Sequence, residues 1–324
     1  MSSETPSQLI HALSQRVCQQ MSKTVFGRED SARMLVGAFL IGGHVLLEGP
    51  PGIAKTLLAH CFADSLGLSF KRIQFTPDLM PSDVTGVNMY DQNSASFRFC
   101  PGPLFSDIVL ADEINRTPPK TQSALLEAMQ EKQVTIDGEC KALSEFFFVI
   151  ATQNPIEHEG TFPLPEAQLD RFLFRLILDY TSPEHEQQMI ESLSAAPALK
   201  AGAETPSTPV VSSEELCETR DKLRAINLSS AISQYILSIA QETRSHADVS
   251  LGASPRAALN LALAAKLAAA LEGRDYVIPD DVKQMSIPTL NHRLVLNPDL
   301  FDSETNTQKV LNEILDRLPV PSAL

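Results

Sequence analysis

One stretch of this sequence, His44 to Gly67, constrains the fold more than any other; it reads HVLLEGPPGIAKTLLAHCFADSLG. Its first residues, His44 to Glu48, form an apolar run typical of a buried strand. A turn rich in glycine and proline follows, and Thr56–Leu66 then has the apolar spacing of a helix that Gly67 is expected to end. A strand, a glycine-rich turn and a helix in this order predict a phosphate-binding site.

The turn meets the pattern GxxxxGK[ST] at Gly49, Lys55 and Thr56. Backbone N–H groups of the loop and the positive end of the helix are expected to hold phosphates, with Lys55 reaching the outer ones and the Thr56 hydroxyl ligating a metal ion. Ala54 occupies the place of the second glycine, and Gly52 is expected to supply the flexibility instead. A chance glycine turn is the alternative, and the flanking strand and helix argue against it.

A second motif, IVLADE, ends an apolar strand in two acids, Asp112 and Glu113. Downstream of a phosphate loop, Asp112 is expected to hold the Mg²⁺ on which Thr56 also acts. Glu113 would then polarise the water that attacks the γ-phosphate. An acidic pair at a strand end is by itself often a solvated turn, so the interpretation depends on the phosphate loop.

Two further polar residues, Asn154 and Arg171, are candidates for the nucleotide site. Asn154 ends the strand FFFVIATQNP and either positions the attacking water or caps the chain before Pro155. Arg171, in LPEAQLDRFLF, either forms a salt bridge with Asp170 or another nearby residue, or reaches the γ-phosphate of a neighbouring subunit.

Arg256 lies in GASPRAAL, where Ser254 is expected to cap a helix and Pro255 to take its first position. A cation in the first turn opposes the helix dipole and therefore needs an anionic partner. The alternatives are an ATP phosphate and an exposed arginine without a partner.

Composition narrows the class of protein. The chain has 324 residues, enough for two domains, and 40 acidic against 26 basic residues give a net charge of −14, which argues against binding nucleic acid by bulk electrostatics. Its five cysteines contain no CxxC pair, so no zinc knuckle is expected. The first residues lack a signal-peptide pattern, and the apolar run from 257 to 271 is too short to cross a bilayer; a cytoplasmic protein without a membrane span is expected.

Strands alternate with helices up to Tyr180, which predicts a parallel sheet covered on both faces. The stretch from Ala195 to Ser213 is rich in Ala, Pro, Ser and Thr, and only helices are expected beyond it. The expected organisation is an α/β nucleotide-binding domain over 1–182, a flexible connection over 183–213 and a helical domain over 214–324.

Four local expectations can be checked directly. Asp137-Gly138 is expected to turn a hairpin, and the proline-rich FTPDLMPSDVTG to be irregular. Thr117 is expected to cap the next helix, with Pro118 in its first position. A stripe of leucines is expected to pack in the last domain: Leu259, Leu263, Leu267 and Leu271.

The order of these motifs resembles that of an AAA+ ATPase. The amino-acid sequence is similar to that of the MoxR branch over most of the chain, from Gly42 to Lys266. The blocks that carry the resemblance are GGHVLLEGPPGIAKT, FTPDLMPSDVTG, LADEINRTPPKTQSALLEAMQE, ATQNPIEHEGTFPLPEAQLDRFLF and LGASPRAALNLALAAK.

The resemblance implies an α/β AAA+ P-loop domain whose parallel sheet has the strand order 5-1-4-3-2, followed by a small all-α lid. It implies ATP and Mg²⁺ as cofactors, with Asp112 and Thr56 on the metal. It implies catalytic roles for Glu113, for Asn154 as first sensor, for Arg171 as arginine finger and for Arg256 as second sensor. The implied nucleotide contacts are Val25, Phe26, Gly27, Gly49, Pro50, Pro51, Gly52, Ile53, Ala54, Lys55, Thr56 and Leu57.

The resemblance also implies a hexameric ring of identical chains with ATP at the subunit interfaces, and hairpin insertions near Asp78–Pro103 and Val134–Leu143. MoxR proteins resemble chaperones that assemble protein complexes or insert cofactors, often with a partner that carries a von Willebrand factor A domain. A nucleic-acid-dependent ring motor and a nucleotide-gated scaffold with little turnover are the alternatives. The acidic balance favours a protein client, for which Tyr90, Phe97 and Phe99 are the expected contacts.

Overall fold

The computed structural model describes residues 5–154, 160–195, 209–297 and 305–321. The chain divides into two compact units. The sheet unit comprises Arg16–Leu164 and Leu176–Ser212, and the helical unit comprises Met1–Gln15, Pro165–Arg175 and Ser213–Leu324. Within the described residues, no helix has the length and apolar character needed to cross a membrane.

The secondary structure alternates along the first half of the chain. In chain order the strands are β1 (Val45–Glu48), β2 (Phe70–Gln74), β3 (Gly86–Asp91), β4 (Ser96–Pro101), β5 (Ile108–Asp112), β6 (Gln133–Ile136), β7 (Glu139–Ala142), β8 (Phe148–Gln153), β9 (Phe174–Ile177), β10 (Val249–Leu251) and β11 (Val295–Leu296). The helices are α1 (Pro6–Ser22), α2 (Glu29–Ile41), α3 (Lys55–Leu66), α4 (Pro81–Thr85), α5 (Pro119–Glu131), α6 (Glu166–Leu169), α7 (Pro183–Ala195), α8 (Ser213–Arg224), α9 (Ser230–Ser245), α10 (Pro255–Leu271), α11 (Pro279–Leu290) and α12 (Thr307–Arg317).

The central sheet has five strands in the order β2-β5-β8-β1-β9. Counted along the chain, this is the order 5-1-4-3-2 that the resemblance implies, so that prediction is confirmed. The pairs β2–β5, β5–β8 and β8–β1 are parallel, with Glu48 opposite Gln153 and Ala111 opposite Ala151. Strands β1 and β5 are buried along their whole length, as expected for a sheet covered on both faces.

An aromatic cluster holds helices α2 and α3 against the sheet. The rings of Phe39, Phe62 and Phe148 are fully buried, and their centroids lie 5.7–5.9 Å apart. Burying each side chain stabilises the fold by about 1.5–3 kcal/mol. Because Phe62 belongs to α3, the cluster also positions the loop that precedes this helix.

The buried residue His44, next to β1, is a structural histidine. Val149 N–H donates to its Nδ1 at 3.0 Å, and its Nε2 donates to the Met129 carbonyl at 3.1 Å. Burial lowers the pKa of His44 to about 4, so the ring is neutral at physiological pH.

Two hairpins extend from the sheet unit. Strands β3 and β4 pair antiparallel within the segment expected to hold an insertion, and β6 and β7 form the second hairpin. The second hairpin turns at Asp137 (φ 50°) and Gly138 (φ 85°), as predicted. The expectation that FTPDLMPSDVTG is irregular is wrong in part, because Pro81 starts the short helix α4 and the Asp83 carboxylate accepts the Met80 N–H at 2.9 Å.

The expected helix start at Thr117 is also wrong. Helix α5 begins at Pro119, with Pro118 in the capping position and Thr117 buried in an extended conformation. A residue that precedes a proline is kept out of the helical conformation, so the second proline of the pair takes the first helical position.

The helical unit starts helix α10 as predicted: the Ser254 hydroxyl accepts the Ala257 N–H at 3.1 Å, and Pro255 takes the first position. The leucine stripe is not one packed face, because Leu259 is 67% and Leu263 37% exposed, whereas Leu267 is buried. Residues spaced by four drift about 40° around a helix per step, so the stripe winds from solvent into the core.

The observed organisation differs from the expected one in three respects. Helix α7 (Pro183–Ala195) occupies the start of the expected flexible connection, and residues 196–208 lie outside the described residues. The segments Met1–Gln15 and Pro165–Arg175 group with the helical unit. That unit also contains the antiparallel pair β10–β11, so it is not purely helical.

Candidate nucleotide site

The predicted phosphate loop lies between β1 and α3, at the carboxyl edge of the central sheet. Lys55 is the first residue of α3, and its Nζ donates to the carbonyl oxygens of Gly49 at 2.7 Å and Pro50 at 3.4 Å. The ammonium group is therefore folded back over the loop, where a phosphate would compete with these two carbonyls.

The first glycine of the motif is required by a close approach. A Cβ on Gly49 would lie 2.3 Å from the Leu178 carbonyl oxygen and 2.6 Å from Ile53 Cδ1. The Leu178 N–H in turn donates to the Glu48 carbonyl at 2.7 Å. The start of the loop is thus held against the chain that follows β9.

The loop needs two left-handed residues, and the sequence provides one glycine for them. Gly52 has φ 82°, as the predicted flexible position, but Ala54 is also left-handed, with φ 63° and ψ 28°. An L-residue in this conformation costs roughly 1–2 kcal/mol. Gly52 therefore does not replace the missing glycine; Ala54 itself adopts the conformation that the motif requires.

The first acid, Asp112, is held from two sides at the end of β5. Its Oδ1 accepts the Thr152 hydroxyl at 2.5 Å, and its Oδ2 accepts Arg72 Nε at 3.0 Å and Nη2 at 2.6 Å. Asp112 is 8% exposed, so its carboxylate is oriented in a nearly enclosed position.

The second acid, Glu113, has a left-handed backbone, with φ 58° and ψ 50°, and its N–H donates to the Thr152 hydroxyl at 2.8 Å. Its Oε2 accepts Gln74 Nε2 at 2.7 Å and lies 3.3 Å from Arg116 Nε. The carboxylate is therefore engaged by two neighbours of its own chain.

Four partners of the acidic pair were not predicted from the sequence: Arg72, Gln74, Thr152 and Arg116. The available signal was the spacing of Arg72 and Gln74 by two residues on β2, which places both side chains on one face of the strand beside β5. Recognising it required knowing that β2 and β5 are neighbours.

Asn154 is buried and follows β8 directly. Because β8 lies between β5 and β1 in the sheet, its carboxyl end separates the acidic pair from the phosphate loop. The sheet unit thus brings the loop, Asp112, Glu113 and Asn154 to one edge of three neighbouring parallel strands.

A cavity of about 250 Å³ adjoins the loop. Three segments of the sheet unit line it: the chain before α2, the phosphate loop with the start of α3, and the chain around the start of α7. The lining residues are Thr24, Val25, Phe26, Arg28, Gly52, Ile53, Ala54, Leu57, Tyr180, Thr181, Glu186 and Met189.

The side of this cavity formed by α7 was not foreseen, since those residues were expected to be a loose connection. Helix α7 approaches the chain before α2 closely: a Cβ on Gly27 would lie 2.7 Å from His185 Nδ1. Gly27 itself does not line the cavity, whereas Val25 and Phe26 do.

The two predicted arginines, Arg171 and Arg256, belong to the helical unit. Arg171 is half-buried, Arg256 is exposed in the first turn of α10, and neither side chain forms a hydrogen bond or ion pair with another described residue. The alternative pairing of Arg171 with Asp170 is not formed, because Asp170 Oδ1 accepts Arg293 Nε at 2.7 Å.

Comparison with known proteins agrees with this geometry. A profile described as ATPase family associated with various cellular activities (AAA) matches residues 44–174, and an AAA lid domain profile matches 241–314. The uncharacterised protein YeaC of Bacillus subtilis is 44% identical over 312 residues, 96% of each chain. Chaperone MoxR1 of Mycobacterium tuberculosis is 41% identical over 328 residues, 96% of this chain and 83% of that one. The chain belongs to the MoxR family of AAA+ ATPases.

A crystal structure of a candidate ATPase from Cytophaga hutchinsonii has the same fold as this MoxR-family chain, with a TM-score of 0.89 at 38% identity over 98% of this chain and 97% of that one. The AAA match contains Lys55, Asp112, Glu113 and Asn154, and the lid match contains Arg256.

Proposed function

We propose that this MoxR-family protein hydrolyses ATP and uses the cycle to remodel partner proteins, assisting the assembly or maturation of protein complexes or the insertion of their cofactors. The observation that carries the proposal is the convergence of the phosphate loop, the acidic pair and Asn154 at the carboxyl edge of β1, β5 and β8. Parallel α/β sheets bind nucleotides at this edge.

In the proposed complex the phosphates lie on the loop and Lys55 turns from the Gly49 carbonyl to their outer oxygens. The adenine base of the nucleotide enters the cavity lined by Val25, Phe26 and the start of α7. This cavity is continuous with the loop through Ala54 and Leu57, as a nucleotide requires.

The residues present suit Mg²⁺, which prefers one or two carboxylates together with hydroxyl, water and phosphate oxygens. Thr56 and Asp112 offer such oxygens, and among the described residues no group of three or more His, Cys, Asp or Glu side chains forms a metal site of its own. When bound, the ion would neutralise charge on the phosphates.

Glu113 is the proposed general base and Asn154 the residue that orients the attacking water. Since the Glu113 carboxylate is engaged by Gln74 and Arg116, it must leave at least Gln74 before it can accept a proton from water. The nucleotide-gated alternative, with little turnover, is favoured by this same hydrogen bond, and turnover measurements separate the two.

Arg171 is proposed to reach the γ-phosphate of a neighbouring chain in a hexameric ring, and Arg256 to act as second sensor. Both proposals are supported by cationic side chains that form no hydrogen bond or ion pair within the described part of their own chain.

The proposed client contact is the tip of the hairpin β3–β4. Phe97 is 73% and Tyr90 56% exposed, with ring centroids 5.4 Å apart, and Met89, the preceding residue of β3, is exposed as well. Phe99 is less available to a client, because its ring packs on that of Phe105, with the ring centroids 5.2 Å apart. An exposed apolar cluster of this kind suits a polypeptide. A partner with a von Willebrand factor A domain remains part of the proposal.

The nucleic-acid alternative has less support on this surface. Lys141 lies 4.9 Å above the Phe99 ring and 3.1 Å from Glu139, so the one lysine of the second hairpin is already engaged. We expect ATPase activity to be unchanged by DNA or RNA at low salt and altered by a cognate client. Salt-sensitive nucleic-acid binding that stimulates hydrolysis several-fold would support the motor instead.

The proposal is tested with two variants. Glu113→Gln keeps the shape of the site but removes the base, so it should bind a fluorescent ATP analogue normally and turn over ATP at least ~100-fold more slowly. Lys55→Ala should lose affinity for the analogue itself. Hydrolysis by Glu113→Gln at the parental rate would contradict the assignment. The Glu113→Gln variant, held in its ATP state, is also the form in which to capture client proteins.

A further inference from the structure

Two residues that follow helix α11, His292 and Arg293, bind the short segment that carries Arg171. We call Asp170–Leu173 the finger segment and His292 with Arg293 the latch. Both lie in the helical unit.

The Arg293 guanidinium is inside the protein, with 1% of its side chain exposed. Its Nε donates to Asp170 Oδ1 at 2.7 Å, and its Nη2 donates to the carbonyls of Asp170 at 3.2 Å and Phe172 at 2.5 Å. Its Nη1 donates to the Leu173 carbonyl at 3.2 Å and to that of Thr289. An arginine has five N–H donors, so every donor of Arg293 has its own acceptor.

His292 adds a second contact to the same place. It is buried, and its Nε2 donates to the Phe172 carbonyl at 3.0 Å. Burial and the charge of Arg293 lower the pKa of His292 well below its usual value, so it serves as a neutral donor. The side chain of Phe172 is itself fully buried, which further anchors the segment.

These contacts leave Arg171 in a distinctive position. The residues on both sides of it, Asp170 and Phe172, are bound by the latch through backbone and side chain, whereas Arg171 itself forms no hydrogen bond or ion pair through its side chain with another described residue. Asp170, the acid best placed in sequence to neutralise Arg171, is occupied by Arg293. The latch therefore restricts the backbone of the segment and keeps its cation available.

We propose that Arg293, supported by His292, is a positioning residue that holds the finger segment so that Arg171 can act on the nucleotide of a neighbouring subunit. The inference rests on the proposed role of Arg171 as an arginine finger. Arg256 belongs to the same compact unit as Arg171 and Arg293. Burial lowers the pKa of Arg293, and the charge of Arg256 adds a smaller lowering effect.

The test compares two arginine-to-lysine changes in the full-length protein. Arg293→Lys keeps the charge but has three donors on one atom and cannot reproduce the five contacts. Arg274→Lys is the matched control: Arg274 also pairs with an aspartate of the helical unit, Asp281, in its case through two hydrogen bonds at 2.8 Å and 2.5 Å. That pair lies at the start of α11, whereas the latch follows its end.

We expect Arg293→Lys to bind a fluorescent ATP analogue within about twofold of the parent while its kcat falls at least ~10-fold, because small displacements of a catalytic group cost large factors in rate. Arg274→Lys should keep the parental kcat. An equal loss of kcat in the two variants would show that the loss is not specific to the latch, and it would overturn the proposal.

Two further measurements separate the latch from the finger. The double variant Arg171→Ala/Arg293→Lys should be no slower than Arg171→Ala alone, because Arg293 acts through Arg171; additive losses would overturn the proposal. Mixing Arg293→Lys chains with Lys55→Ala chains should recover part of the activity, since the intact pocket of one can meet the intact finger of the other.

The outcomes also distinguish the latch from the proposed function. Undiminished turnover in Arg171→Ala would refute the finger role itself, and with it the latch. Slow turnover in Arg171→Ala together with parental turnover in Arg293→Lys would refute the latch alone and leave the finger role standing.

Discussion

Ala54 offers a direct test of how the phosphate loop is built. Its backbone is left-handed (φ 63°, ψ 28°) at the residue before α3, where the general motif has glycine. Replacing it with glycine removes a strain of roughly 1–2 kcal/mol. Glycine also makes the unfolded chain more flexible, which offsets about 0.5–1 kcal/mol of that gain. The midpoints of the two ranges differ by about 0.75 kcal/mol, which predicts that Ala54→Gly stabilises the protein by roughly that amount.

The measurement is urea unfolding without nucleotide, since a bound ligand would add its own stabilisation. The chain has no tryptophan, so circular dichroism is the suitable signal. Ala262→Gly is the matched control, because Ala262 is half-buried within the right-handed helix α10. There the same substitution should destabilise by about 1 kcal/mol.

The two substitutions therefore have opposite expected signs, although the chemical change is identical. If Ala54→Gly lowers the free energy of unfolding as much as Ala262→Gly does, Ala54 is not strained and the reasoning is refuted. Stabilisation by Ala54→Gly would show that the left-handed backbone of Ala54 is strained, and that contacts elsewhere in the fold compensate for this strain.

Three further predictions follow from the same site and its surroundings. Gln74→Ala should raise basal ATP turnover several-fold by releasing Glu113, as measured by phosphate release; an unchanged rate would mean that this hydrogen bond does not restrain the base. His44 has a pKa of about 4 when folded and 6.5 as its ordinary value, so the unfolded chain binds its proton first and stability should fall as the pH drops from about 6.5 to 4, by up to ~3 kcal/mol. Urea midpoints across this range should fall less steeply for His44→Gln, and parallel curves would contradict the assignment. Replacing both Tyr90 and Phe97 with alanine should abolish stimulation by a client while basal turnover stays parental; retained stimulation would place the client contact elsewhere.

Much of the fold was predictable because its signals lie in contiguous residues. The strand before the loop, the helix after it, the cap at Ser254 and the hairpin at Asp137-Gly138 each depend on a few neighbouring side chains. The resemblance to the MoxR branch also supplied the strand order, which pairing confirms. The start of helix α5 was predicted wrongly at Thr117, because two successive prolines, Pro118 and Pro119, could each take the first helical position.

The partners of the site residues could not be predicted in this way. Arg72 and Asp112, or Gln74 and Glu113, are about forty residues apart and meet because β2 and β5 are neighbours. Helix α7 lines the cavity proposed for the adenine base, although a flexible connection was expected over 183–213.

The contrast is clearest at Asp170. Sequence alone determined that an acid and an arginine stand side by side there, and their adjacency made a pair of Asp170 with Arg171 one of the alternatives. The tertiary structure instead brings Arg293 to Asp170 from 123 residues away. The physical reason is desolvation: a buried guanidinium must find an acceptor for each of its donors, and only the folded chain collects one carboxylate oxygen and four carbonyls around Arg293.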